Sequence, residues 1–166
     1  IAQFSIPLQI VCDFSLGLTP YDKYRGHSKA QIEGRVFHAK SKKDKSFKPL
    51  LSGECISRYR VEWDGLEYIS YGPWLGAPRD PRFFNSERIL VRQILSGNPI
   101  RIFAGYTEEE LYNSQIAFNL VAKAGTPFSL LFILAILNSR LIDFFHRNRF
   151  LDQTKQVFQK ILIENA

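Results

Sequence analysis

The chain has 166 residues, 45% hydrophobic and 23% charged, a balance that fits one folded domain and excludes a disordered tail. A domain of this size buries about 70% of its unfolded surface, so it needs no metal or disulfide staple, and Cys12 and Cys55 stand without paired or CxxC spacing. The formal charge of +6 is modest, so its distribution carries more information than its size.

Leu8 to Phe14 is apolar and β-branched enough for a strand. Gly17, Pro20 and Gly26 punctuate a loop. From Asp22 to Arg60 the chain carries eleven Lys and Arg against four acids, a local charge of +7, while the remainder carries −1. Such a localised basic field is the footprint of a polyanion-binding surface, although a solvated lysine loop looks the same at this level.

Val61-Glu62-Trp63 and Tyr68 to Tyr71 flank Asp64-Gly65, which predicts a hairpin. Residues 72 to 81, rich in Pro and Gly, read as loop. Ile89 to Leu95 and Ile100 to Tyr106 form a second expected hairpin around Ser96-Gly97-Asn98-Pro99. Thr107-Glu108-Glu109-Glu110 has two readings: a capping box opening a helical turn, or a polar connection before a strand over Gln115 to Ala122. The absence of a long apolar period after it favours a short turn.

Thr126-Pro127 supplies an N-cap and a first-turn proline, predicting one helix that runs to about Arg149. Leu130 to Leu137 is apolar all round, the pattern of a buried half. Beyond it Leu141, Ile142, Phe144 and Phe145 are expected to face inward and Arg140, Asp143 and Arg147 outward. His146, Arg147 and Arg149 suit the helix C-terminus, and Val157 to Ile163 reads as a closing strand. The expected fold class is α+β: an antiparallel or mixed, hairpin-rich sheet with one long buried helix near the C-terminus, in a single domain over residues 1–166.

Catalytic signatures are sparse. There is no Gly-rich phosphate cradle, GxSxG, HExxH or Cys–His arrangement. His27, His38 and His146 have no metal-ligand spacing. Neither Asp80 nor Glu87 is followed by the x-Lys of a PD-(D/E)xK nuclease, and the Asn-Pro-Pro-Tyr type tetrapeptide of amino-methyltransferases is absent. Glu108 to Glu110 could bind a metal, but a capped turn or a solvated face is favoured. No catalytic activity, cofactor or metal is expected of this chain alone. The longest apolar run is too short to cross a bilayer, and no signal peptide is visible. The chain begins at Ile1 and contains no Met, and reads as a piece of a larger cytoplasmic protein.

Five stretches then stand out in order: Gly17-Leu18-Thr19-Pro20-Tyr21; Lys48 through Tyr59 with Trp63-Asp64-Gly65; Gly76-Ala77-Pro78-Arg79-Asp80-Pro81-Arg82-Phe83-Phe84 leading into Arg88-Ile89-Leu90-Val91-Arg92-Gln93; Leu134 through Ile142; and Phe158 through Ile163. Together they resemble the TaqI-like C-terminal specificity domain of N6-adenine DNA methyltransferases, including restriction–modification enzymes that fuse methylase and nuclease. More distantly, they resemble the recognition domains of type I restriction specificity subunits. The resemblance implies that a separate methyltransferase domain of the parent chain binds S-adenosylmethionine and flips the adenine. This chain would grip double-stranded DNA and read neighbouring bases. An RNA- or other polyanion-binding domain, an unrecognised hydrolase and a non-catalytic docking domain are the competing classes.

On that reading affinity comes from cations on phosphates and specificity from side chains on base edges. Lys40, Lys42, Lys43, Lys45 and Lys48 are the phosphate candidates, beside the alternative of idle surface lysines. Arg58 and Arg60 either face DNA or pair with Glu54 or Glu62. Arg79 and Arg82, in a Pro-rich loop, are guanine-reading candidates or partners of Asp80. Arg92 and Gln93 either read DNA or serve strand packing. Trp74 stacks, wedges or plugs the core, and Asn138-Ser139 are assigned to structure. The cations between Asp22 and Arg60 are expected on a single concave face, next to arginines from later loops.

Overall fold

The computed structural model describes residues 6–95 and 101–149. In these, nine strands follow in order: β1 (Cys12–Leu16), β2 (His38–Ala39), β3 (Phe47–Leu51), β4 (Tyr59–Arg60), β5 (Tyr68–Ser70), β6 (Arg88–Arg92), β7 (Ala104–Thr107), β8 (Tyr112–Asn113) and β9 (Ala117–Ala122). The helices are α1 (Leu8–Val11), α2 (Lys29–Glu33), α3 (Arg82–Asn85), α4 (Leu130–Leu137) and α5 (Arg140–Arg149). Two mixed sheets result, one ordered β1-β9-β6-β7-β4 and a smaller one ordered β2-β5-β3-β8. The class is α+β, as expected.

The central strand β6 shows how the sheets are held together. Its side chains alternate across the sheet. Ile89 and Val91 enter a core closed by Leu130, Ile133 and Leu134 of α4. Leu90 enters a second core with Leu51, Cys55, Ile56 and Ala117, which joins the two sheets. A third core of Leu18, Leu50, Ile69, Leu75, Phe84 and Tyr112 fills the lobe built on the smaller sheet. The lobes also meet at Gly17, where an added Cβ would lie 1.9 Å from the Ser114 carbonyl oxygen. Only glycine lets the chain cross there.

Several expectations are corrected. Leu8–Val11 forms one helical turn, and only Cys12–Leu16 is strand. Asp64-Gly65 does make a turn, with Gly65 at φ 76° and Asp64 Oδ1 accepting the Leu66 N–H at 3.0 Å. It closes no hairpin, however: Val61 bridges Ile56, while β5 pairs with β2 and β3 in the other sheet. By contrast β6 and β7 are an antiparallel pair with Arg88 opposite Thr107, as the second hairpin requires. Their connection and the expected strand over Val157 to Ile163 lie outside the described residues.

The single long helix is two helices. Ser129, not Thr126, caps the first, its Oγ accepting the Phe132 N–H at 3.2 Å. Asn138 ends α4, and Ser139 Oγ accepts the Ile142 N–H at 3.2 Å to start α5. The apolar run is also not buried all round: Leu130, Ile133 and Leu134 are buried, while Leu131, Phe132 and Ile136 are exposed. In α5 the expected faces hold only in part: Ile142 packs against the core and Arg140 is exposed, as expected, but other positions are exchanged. Asp143 and His146 point inward, and Leu141 and Phe144 point to solvent. The reason is polar demand in the core: Asp143 Oδ1 accepts the buried Ile102 N–H at 2.9 Å, and a buried donor left unpaired would cost about 1–3 kcal/mol.

Candidate nucleic-acid interface

The small-sheet lobe carries most of the basic segment on short connections. Lys40, Lys42, Lys43 and Lys45 lie on the loop joining β2 to β3, and all four are exposed. None has a carboxylate within ion-pair distance among the described residues. Asp44 sits among them but is used by the turn: its Oδ1 accepts the Ser46 N–H at 2.7 Å and the Ser46 hydroxyl at 2.6 Å. Those bonds hold its carboxyl below the ordinary value. Lys43 Nζ lies 5.6 Å from the centre of the Phe47 ring, which anchors one end of the loop.

The other cations of the segment are divided. Arg35 pairs with Glu67 at 2.7 Å, and Lys29 with Glu33 at 3.7 Å. Lys48 pairs with Glu110 at 2.7 Å, and this lysine above all keeps the Glu110 carboxyl below its ordinary value. Arg60 pairs with Glu62. Arg58 donates Nη2–H to the Asn138 carbonyl and sits 3.9 Å from Asp143, tying the segment before β4 to the break between α4 and α5. The expectation of one continuous cationic face is therefore narrowed. Among the described residues Lys23, Arg25 and the four loop lysines have no carboxylate within ion-pair distance, while Arg60 lies on β4 of the larger sheet and Arg58 just before it.

Two further loops are stitched to the lysine loop. Tyr21 stacks on Phe37 with ring centres 5.2 Å apart, and its hydroxyl accepts the Phe37 N–H at 3.0 Å and hydrogen-bonds His38 Nδ1 at 2.9 Å. Thr19 and Ala77 exchange backbone hydrogen bonds of 2.8 and 2.9 Å, and the Gly76 N–H donates to the Pro20 carbonyl at 3.2 Å. Residues 19–27 and 72–81 thus run side by side. On the second of these loops Arg79 is exposed, has no ion pair among the described residues, and adopts φ 66°. A left-handed non-glycine residue stores strain, and here the Tyr71 hydroxyl holds it by donating to the Arg79 carbonyl at 2.9 Å.

The remaining candidates sit as follows. Arg82 is neutralised by Asp13 at 2.8 Å and Asp80 at 3.3 Å. Arg92 lies over Phe103, 5.0 Å from the ring centre. Gln93 lines a hollow of about 290 Å³ with Leu18, Thr19, Ile94, Ser114 and Gln115, where the lobes meet. Trp74 is half exposed, donates its indole N–H to the Ser70 carbonyl at 3.1 Å, and covers Gly72 so closely that an added Cβ would come within 2.4 Å of its ring. Glu108 to Glu110 form no helix. Glu108 accepts the Tyr106 hydroxyl at 2.7 Å, and among the described residues no three His, Cys, Asp or Glu are grouped to hold a metal ion. No helix among the described residues is long and apolar enough to cross a membrane.

Sequence reasoning missed Arg88 as the anchor it is. It also missed the turn at Lys23 to Arg25, which Asp22 as cap and Gly26 as terminator could have signalled.

The family model of the TaqI-like C-terminal specificity domain matches residues 48–165. The chain belongs to that family, whose role is DNA target recognition in a restriction–modification setting. The matched span runs from the second residue of β3 through β9 and both C-terminal helices, and it excludes the Lys40 to Lys45 loop. The basic loop and the family match are thus independent observations. No curated protein matches the chain.

Proposed function

We propose that this chain is the DNA-reading part of an N6-adenine DNA methyltransferase of a restriction–modification system. It holds duplex DNA for a catalytic domain elsewhere in the parent protein, which binds S-adenosylmethionine and extrudes the target adenine. The chain itself contributes no catalytic group. The reading holds equally for a parent that also carries a nuclease. The observation that supports it is the set of lysines at 40, 42, 43 and 45, exposed and with no carboxylate within ion-pair distance among the described residues, together with an exposed Arg79 that likewise has no ion pair among them. Lysines of this kind neutralise phosphates and release counterions. A guanidinium held on a strained, anchored loop suits a base edge.

The test is a titration of the chain with a duplex DNA and with an RNA of the same sequence, each at two salt concentrations. DNA affinity is expected to exceed RNA affinity and to fall steeply with salt. A flat salt response, or a preference for RNA, overturns the reading.

A further inference from the structure

The turn at Lys23-Tyr24-Arg25 is built more firmly than an exposed connection needs to be. Asp22 Oδ1 accepts the Tyr24 N–H at 2.8 Å, the Arg25 N–H donates to the Asp22 carbonyl at 3.0 Å, and Gly26 ends the turn at φ 90°. His27 clamps it from below. Its Nδ1 accepts the Asp22 N–H at 2.7 Å, which leaves Nε2–H to donate to the Trp74 carbonyl at 2.8 Å. Gly76 backs the same spot, where an added Cβ would come within 2.8 Å of Asp22 Cβ.

The side chain carried by this turn is buried against nothing. Tyr24 is 86% exposed, the most exposed large hydrophobic residue among those described. Its one ring contact among the described residues is Lys23 Nζ, 4.7 Å from the ring centre. Apolar neighbours are not lacking: Tyr21, three residues earlier, stacks on Phe37. A rigid turn that withholds an aromatic ring from a nearby aromatic cluster forgoes its burial energy. The ring is flanked by two cations, and neither Lys23 nor Arg25 has a carboxylate within ion-pair distance among the described residues.

The segment that carries the turn is also tied to the strand that opens the lysine loop, because the Tyr21 hydroxyl bonds His38 Nδ1.

We propose that Lys23-Tyr24-Arg25 is a stacking finger, in which Tyr24 lays its ring on a base step of the bound duplex while Lys23 and Arg25 take the phosphates on either side. It rests on the DNA-reading function proposed above and adds a contact residue to it. Rigid apolar side chains placed between cations are what unstack and kink a duplex, and ring stacking tolerates any base sequence because every base has a π-face.

The test titrates the full chain against a fluorescent random-sequence duplex, with Tyr24→Ala, Tyr24→Phe, Lys23→Ala and Arg25→Ala. Tyr24→Ala is expected to weaken binding by roughly fivefold or more, the lower end of ring stacking on a base because wedging into a duplex also costs unstacking, with an unchanged salt slope and thermal midpoint. Tyr24→Phe is expected to stay within about twofold, because the ring is kept. Lys23→Ala and Arg25→Ala are each expected to reduce the salt slope by about 0.9. Wild-type affinity in Tyr24→Ala, while Lys42, Lys43 and Lys45 changed to Ala still weakens binding, overturns the finger alone. Equal losses in Tyr24→Phe and Tyr24→Ala overturn stacking in favour of the hydroxyl. A wild-type chain that binds no duplex overturns both this proposal and the function beneath it.

Discussion

Asn138 and Ala104 hold each other by two hydrogen bonds: the amide Oδ1 accepts the Ala104 N–H at 3.2 Å and Nδ2 donates to the Ala104 carbonyl at 2.8 Å. The side chain thus acts as an extra peptide group at the first residue of β7, and its nearly complete burial makes the pairing costly to lose. Asn138→Ala leaves a donor and an acceptor unpaired in the core. A loss of about 1–3 kcal/mol in unfolding free energy is expected, read from the urea midpoint at unchanged slope. A midpoint equal to the wild type would show that α4 and α5 need no such tie.

Arg88 is a second buried anchor. Its side chain is fully enclosed, with Nη1 donating to the carbonyls of Ser86 at 3.0 Å and Glu109 at 2.9 Å and Nη2 to that of Leu111 at 2.6 Å. Burial pulls its pKa down to about 10, so it remains a cation at neutral pH. Lysine has one nitrogen and cannot span three carbonyls. Arg88→Lys is therefore expected to destabilise by about 3 kcal/mol. The difference should narrow towards about pH 9, because burial lowers a lysine's pKa from a starting point below arginine's and lets the folded variant shed its proton there. Paired thermal melts check this, and an unaffected midpoint would contradict the anchor.

Stability should fall on mild acidification. Burial pushes both His38 and His146 below their ordinary value of 6.5, with Arg35 helping at His38 and Asp143 opposing at His146. The folded state therefore takes up these protons at lower pH than the unfolded chain does. Below 6.5 the unfolded state binds more protons, and folding free energy is lost until the folded values are passed. The carboxyls of Asp44, Asp64 and Glu110 act only in a lower window, being shifted down from 3.8 or 4.5. The urea midpoint is expected to be lower at about pH 5.5 than at about pH 7.5, and the gap to shrink in a chain carrying His38→Gln and His146→Gln. Identical midpoints at the two pH values would refute this assignment.

The lysine loop and the loop carrying Arg79 should fail differently. Replacing Lys42, Lys43 and Lys45 by Ala is expected to weaken binding to all duplexes alike and to lower the salt slope by up to about 2.7. Arg79→Ala is expected to relax preference at one position of the bound sequence, at about 1–3 kcal/mol of discrimination. Sequencing of duplexes selected from a random pool distinguishes the two effects. A selective loss from the lysine triple would interchange the roles.

Local chemistry was legible where it is self-contained. The runs Ile89 to Leu95 and Ile100 to Tyr106 announced an antiparallel pair, within which β6 and β7 form, and Asp64-Gly65 announced a turn. The basic excess between Asp22 and Arg60 was also readable, as were the ordered motifs from Lys48 onward that lie in the span matched to the family. Partners distant along the chain were not. Asn138 breaks a helix for the sake of a backbone 34 residues away, and Asp143 turns inward to serve Ile102, 41 residues away.

The same division governs the interface. Composition determined how many cations the chain carries. The tertiary structure decided which of them are free, because Glu67, Glu110 and Asp13 reach Arg35, Lys48 and Arg82 only once the sheets have formed. A charge's effect depends on what lies within a few ångströms of it, and that distance is set by the packing of residues remote in sequence.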